Sequence, residues 1–387
     1  MYIMKKLIKK LWLKGDQSIW NGDVAKEKAF LASFPEPANL VERSYFQYKC
    51  HNIFYAGSRL TLWKIISFFA MPAFFLLLLL KGMKKVQPIH SQGVFMGAIS
   101  MEYVRKTIEP ECPQWTEISV LGEMELTGND VKFFLSLWVK YFFSPLFLFK
   151  ILIKLARYSH VIRKYSPQII MTEEVSSFAS SAMTSYCHSH NVKHYFAEHG
   201  EVLFGLRDTF AAFDRYYIWD EFYAGLYRSM RFPADAEFCI VKPFGRISAP
   251  EPVEKIYDYT YYLQAETREE LNKKRDNLDL LKQHGAKIAV RPHPRYTNMN
   301  DFNEIFANYD REDPKAISLD LSLLRTKNVI SEYSTVLYQA YLAEINVIID
   351  DLCAPERIEI LRSRSYIMLN KKFESLSFIL RSSNHDN

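Results

Sequence analysis

The chain has 387 residues, enough by length for two to three domains and a sizeable core. Apolar residues make up 49% and charged residues 24%, which excludes a wholly disordered chain and a collagen-like repeat. Five cysteines, Cys50, Cys112, Cys187, Cys239 and Cys353, are an odd number with no C-x-x-C pair, so neither a disulfide framework nor a zinc site follows and a reducing cytosol fits best.

The net charge of +5 is unevenly spread. Residues 1–166 carry 23 Lys and Arg against 12 Asp and Glu, and the remainder is net acidic. The basic half is also the apolar half. Met1 to Lys14 interleaves Lys5, Lys6, Lys9, Lys10 and Lys14 with Leu7, Ile8, Leu11, Trp12 and Leu13, a pattern suited to a helix lying on an anionic leaflet. It lacks the uninterrupted apolar run and cleavage site of a signal peptide. Ile65 to Leu80 is almost wholly apolar but spans about 24 Å as a helix, short of the roughly 30 Å hydrocarbon core, and Pro72 is expected to kink it. Phe133 to Arg157 mixes aromatics with Lys140, Lys150 and Lys154 around Pro145. The three segments, about 1–15, 62–85 and 133–157, are expected to form an in-plane membrane-docking surface, and bulky aliphatic neighbours argue against nucleic acid.

From about Gly93 the pattern alternates strand and helix. Val94 to Ile99 reads as a buried strand, followed by a helical stretch from Met101. Gln168 to Met171 as strand, Ser176 to His190 as helix and Lys193 to Ala197 as strand make a βαβ unit, hence parallel pairing with a right-handed crossover. Arg215 to Trp219 adds a strand, and a break is expected at Pro243 to Pro252. The alternation then restarts with strands at Tyr257 to Leu263, Lys287 to Val290, Asn328 to Ile330 and Asn346 to Asp350, and helices at Thr267 to His284, near Asp301 to Tyr309, and up to Ala343. Two α/β domains, 1–245 and 246–387, are the simplest division.

Three polar motifs fall at strand ends, where ligands of such sheets bind. Arg291-Pro292-His293-Pro294-Arg295 restricts the backbone on both sides of one imidazole and supplies guanidinium charge suited to phosphate. Ser331-Glu332-Tyr333-Ser334-Thr335 joins a strand to a helix whose first turn offers amides and hydroxyls to an anion, although capping alone explains one hydroxyl. Glu198-His199-Gly200-Glu201 ends a parallel strand with a carboxylate placed to take a proton; Glu173-Glu174 is a competing acidic pair. No Asp-x-Asp triplet, Walker loop, G-x-G-x-x-G fingerprint or G-x-S-x-G elbow occurs, which disfavours a metal-dependent single-domain sugar transferase, ATP hydrolysis, dinucleotide redox work and a hydrolase.

In this order the three motifs resemble those of the bacterial sialyltransferases and polysialyltransferases of the two-domain GT-B fold: an acidic-Gly motif at Glu198-His199-Gly200, a basic-Pro-His-Pro motif at Arg291 to Pro294, and a Ser/Thr motif at Ser331 with Ser334-Thr335. The resemblance covers roughly Pro167 to Asp351 and departs from the family in carrying His199 where a second acid is usual. It implies two Rossmann-like domains facing each other across a cleft and transfer of a sialic acid, or a related 2-keto acid sugar, from a CMP-sugar to a glycan hydroxyl without a metal or other cofactor. The basic, aromatic, amphipathic N-terminal half fits a lipid-linked or surface glycan as the acceptor. Glu198 would be the general base, with Glu201 and His199 as alternatives; His293 would meet the departing phosphate, and Arg291, Pro292, Arg295, Ser331, Ser334 and Thr335 would surround the nucleotide. The cytoplasmic face of the inner membrane is the expected location. The motifs also resemble those of CDP-glycerol or CDP-ribitol phosphotransferases, in which His199 would serve as base. A non-catalytic membrane-bound partner in polysaccharide assembly is the alternative of a different class.

Overall fold

The computed structural model describes residues 20, 22–55, 57–83, 86–97, 102–242 and 253–383. The amphipathic segment at Met1 to Lys14 and the break at 243–252 lie outside these residues. Two compact units emerge, one from Met1–His199 with Phe204–Pro243, the other from Gly200–Leu203 with Phe244–Asn387. Gly200–Leu203, which follow a strand of the first unit in the chain, thus group with the second.

The first unit opens with helices Val24–Ala32, Leu40–Phe54 and Ser58–Gly82. Its sheet comprises β1 (Gly93–Met96), β2 (Trp115–Ile118), β3 (Ile169–Thr172), β4 (Lys193–Ala197), β5 (Arg215–Ile218) and β6 (Phe238–Ile240). All neighbouring pairs are parallel, in the order β2-β1-β3-β4-β5-β6. Strands buried on both faces need continuous apolar runs, and β1 and β3 are buried at every position.

The stretch Phe133 to Arg157 divides. Helix Gly128–Tyr141 ends before Ser144, and Pro145 begins the next helix, Pro145–Tyr165, where its missing N–H costs nothing. This second helix is not a membrane face as expected. Phe147, Leu148, Ile151, Leu152, Leu155 and Ala156 are fully buried at its centre and form the core of the unit. Helix Ser58–Gly82 is longer than its apolar run. It runs unbroken through Pro72 for 25 residues, because helical geometry extends past the apolar run at both ends. Arg59–Gly82 is the one described helix long and apolar enough to cross a membrane by length and composition.

The second unit contains β7 (Tyr257–Tyr262), β8 (Ile288–Arg291), β9 (Asp310–Arg311), β10 (Thr326–Ser331), β11 (Asn346–Ile349) and β12 (Glu374–Ser375). Its order, β12-β11-β10-β7-β8-β9, is again wholly parallel. Numbered within the unit this is 3-2-1-4-5-6 read from the other edge, the doubly wound dinucleotide-binding order. The two α/β sheets expected from the strand-helix alternation, and the Rossmann-like character that the resemblance implied, are therefore present. Helix Arg268–Gln283 begins with a capping box in which the Thr267 N–H donates to Glu270 Oε2 at 2.7 Å. Its buried face comprises Leu271, Leu278 and Leu281, and in the same stripe Lys274.

Candidate active site

A doubly wound sheet opens a crevice where neighbouring strands leave in opposite directions around the sheet, beyond their carboxyl ends. In the second unit that point lies between β7 and β10. Ser331 Oγ, at the end of β10, donates to the Tyr262 carbonyl at the end of β7 at 2.8 Å and ties the two strands together there. Ser331 is fully buried, so its hydroxyl serves the sheet rather than a ligand.

Immediately after it, Glu332 turns inward. Lys274 Nζ, with no exposed surface, lies 3.2 Å from Glu332, 3.6 Å from Asp350 and 3.8 Å from Glu266, and donates to Tyr261 Oη at 2.7 Å. Arg357 adds a second cation, 3.2 Å from Glu332 and paired also to Glu270. Burial acts to discharge Lys274, but the carboxylates of Asp350, Glu332 and Glu266 outweigh it and hold its pKa above the ordinary lysine value. Burial raises the Glu266 pKa, opposed by Lys274 and by backbone N–H donors including that of Gln264. This cluster pins the loops after β7, β10 and β11 to helix Arg268–Gln283. The motif search missed Lys274, Glu266 and Asp350. One signal was readable: a lysine at the second position of the stripe Leu271, Lys274, Leu278, Leu281, where an amphipathic helix should be apolar.

With Ser331 and Glu332 anchored, Ser334 starts helix Thr335–Leu342. Its Oγ accepts the Val336 N–H at 3.2 Å, and Tyr366 Oη lies 3.4 Å from its N–H and 3.3 Å from its carbonyl. The Ser334 hydroxyl thus caps the helix. What remains for an anion is the positive end of the helix and the half-buried Thr335 beside it. Tyr366 is wholly buried, and burial together with the Glu201 carboxylate pushes its hydroxyl well above the usual tyrosine range. Glu201 therefore stands within electrostatic reach of the Tyr366 that holds Ser334.

The second motif separates into inward and outward members. Arg291, buried at the end of β8, lies 3.2 Å from Glu312 and donates to the Ile317 carbonyl at 2.8 Å. Its charge is committed within the fold to Glu312 and the Ile317 carbonyl, which does not fit the phosphate role expected of it. Pro292 is buried behind it, while Arg295 is exposed. His293 is half-buried and closely held: its N–H donates to Thr297 Oγ1 at 2.8 Å, its ring stacks on Tyr296 at 4.4 Å, and its Nδ1 accepts the Arg295 N–H at 3.1 Å. Burial first, then the Arg295 charge, lowers its pKa below the ordinary histidine value. A neutral ring with Nδ1 accepting carries its proton on Nε2 and so offers an N–H donor there.

In the first unit, Glu198 does not present its carboxylate as a base would need. At 1% exposure, Oε2 accepts the Trp219 N–H at 2.7 Å and Oε1 accepts the Tyr227 hydroxyl at 3.0 Å. Both oxygens thus have donors from β5 and helix Glu221–Ser229 or the link between them. His199 next to it is exposed, and a side chain at Gly200 would meet nothing within 4 Å. The switch point of this sheet lies elsewhere, between β1 and β3, where Gly97 approaches Glu173: a Cβ at Gly97 would stand 3.3 Å from Glu173 Oε2. Glu174 is paired with Lys154. The acidic pair that motif reasoning ranked second therefore occupies the topologically favoured end of its sheet.

No protein-family model and no curated protein matches the sequence. Among solved structures, the chain is similar to wall teichoic acid polymerase TagF at 12% identity, covering 77% of this chain and 79% of that one with a TM-score of 0.44. It is similar to the UDP-GlcNAc 2-epimerase of Methanocaldococcus jannaschii at 13% identity, covering 72% and 93% with a TM-score of 0.43. It is also similar to TarM at 13% identity and a TM-score of 0.36, where it covers 56% of this chain and spans about half, 47%, of the other. At these scores none of the three assigns an activity.

Proposed function

We propose that the chain is a GT-B-type glycosyltransferase that moves a sialic acid, or a related 2-keto acid sugar, from a CMP-sugar to a hydroxyl of a lipid-linked or surface glycan, without a metal. The observation that carries this reading is the end of the second sheet. The β7/β10 switch point carries a helix N-terminus with Thr335, and the end of the adjacent strand β8 carries a histidine whose free nitrogen is a donor. A single phosphate leaving C2 of the sugar takes the electron pair of the broken C–O bond. The His293 Nε2–H and the positive helix end stabilise that charge without a Lewis acid. The acceptor oxygen forms the new bond to C2 and gives its proton to a carboxylate or imidazole. Glu201 is the first candidate for that base, since both Glu198 oxygens already accept hydrogen bonds.

The exposed His199 favours a second reading, transfer of a polyol phosphate from a CDP-polyol with an imidazole as base. The purified protein, supplied in turn with CMP-sialic acid, CMP-Kdo and CDP-glycerol plus membrane-derived acceptor, separates the two by which donor yields free CMP. CMP from a CMP-sugar supports the first reading, CMP only from CDP-glycerol supports the second, and no CMP from any donor removes both.

A further inference from the structure

Helix Ser58–Gly82 inverts the rule for a surface helix. Its buried side, Leu60, Ser67, Met71 and Leu78, faces the core built around helix Pro145–Tyr165. The opposite side should be polar. Instead it exposes Ile65, Phe69, Leu76 and Leu80, with Phe69 at 74%. Helix Gly128–Tyr141 continues the surface. It packs on the same central helix, Phe75 and Phe134 stack between the two at 5.6 Å, and beyond them Val139 and Phe143 are almost fully exposed at 84% and 94%. Water-exposed aromatic and aliphatic groups of this number on two helices that pack on one central helix mark an interaction surface.

The surrounding charge selects the occupant. Residues 43–101 contain seven Lys and Arg and no Asp or Glu, and residues 131–172 again contain seven and none. Exposed Arg59, Lys81, Lys132 and Lys140 lie on these helices. A second copy of the same chain would set this predominantly basic surface against itself. A protein partner would have to supply many acids around an apolar centre, whereas an anionic bilayer supplies both in one plane.

We infer that helices Ser58–Gly82 and Gly128–Tyr141 form one in-plane docking face for an anionic lipid bilayer, seated by Ile65, Phe69, Leu76, Leu80, Val139 and Phe143. Length does not exclude a span, since 25 residues reach about 37 Å. Packing does: one side of the helix is committed to a core that continues into a sheet, so only the other side meets lipid. This inference stands independently of the reaction proposed above.

The test is co-sedimentation of the full chain with vesicles of phosphatidylcholine alone and with added phosphatidylglycerol. Binding is expected only with the anionic lipid and is expected to weaken as salt rises. Phe69→Asp with Leu76→Asp, both at exposed positions, should lower partitioning at least tenfold. Lys81→Gln with Lys140→Gln should lower it about fivefold per charge. Leu280→Asp, an exposed change in the other unit, should leave it unaltered. Unchanged thermal melting of each variant separates lost docking from lost folding. Three results would overturn the inference: vesicle binding indifferent to the Asp variants, membrane-bound protein that resists alkaline carbonate, or a dimer in solution that the Asp variants dissociate without any vesicle binding.

Discussion

At the scale of single residues, the motif His293 separates from its neighbours by what its ring atoms do. Nδ1 is taken by the Arg295 N–H, so protonation there would break a bond, in keeping with the lowered pKa. The neutral ring is then the working form, and activity should rise with pH through a midpoint below 6.5 and stay level for this group above it. A rate that falls as pH rises through that range would make the imidazolium the working form. His293→Ala should lower kcat by on the order of 100-fold. Arg291 should behave differently. Arg291→Met strands Glu312 in the interior and should cost about 3–5 kcal/mol in urea unfolding, whereas an exposed phosphate ligand would change KM and leave stability alone. His194 provides a separate readout of the first unit. Wholly buried between the Tyr158 hydroxyl at 2.8 Å and Thr184 Oγ1 at 2.7 Å, it has its pKa pushed down to about 3, by burial first. Between pH 6.5 and 3 the unfolded chain binds a proton there that the folded chain does not. Stability should therefore fall on acidification by about 1.4 kcal/mol per pH unit from this group, and His194→Gln should remove that part of the slope.

At the scale of elements, the sequence was most legible where hydrophobic period and length agree. The strand Lys193–Ala197 and the helix after Thr267 lie where the pattern put them, give or take a residue, because an apolar run marks the one and apolar period with a capping residue marks the other. The motifs were visible as composition but not as orientation. Whether Arg291, Glu198 or Ser331 faces solvent depends on Glu312, on Trp219 and Tyr227, and on Tyr262, partners 21 to 69 residues away that no local pattern indicates. The helix Pro145–Tyr165 is buried rather than at a surface for the same reason: amphipathic and basic sequences suit either a membrane or a core whose charged ends reach the rim. The Lys274 cluster is the element-scale device that sets the loops of the second unit. Lys274→Met should leave Glu266 and Asp350 without their cation and Glu332 with Arg357 alone, destabilise that unit by about 3–5 kcal/mol and displace the Ser334 loop. Equal stability of the variant and the parent in urea would show that the cluster carries no such weight.

At the scale of the whole molecule, two parallel sheets have different strand orders. The second has the order and the switch point of a nucleotide-binding unit; the first combines a sheet with an apolar, basic helical face. Topology supplied what motifs alone did not, since it favours Glu173 beside Gly97 as an acidic group at a ligand-binding strand end. The proposed transfer needs no metal, so turnover should survive EDTA, and a complete loss restored by Mg²⁺ would contradict that part of the account. The most direct measurement is CMP binding by titration calorimetry. If the nucleotide phosphate sits at the β7/β10 switch point, His293→Ala and Thr335→Val should each weaken CMP binding at least tenfold, while Glu221→Gln, an exposed change in the other unit, leaves it unchanged. CMP affinity untouched by both second-unit substitutions would contradict the account at its centre.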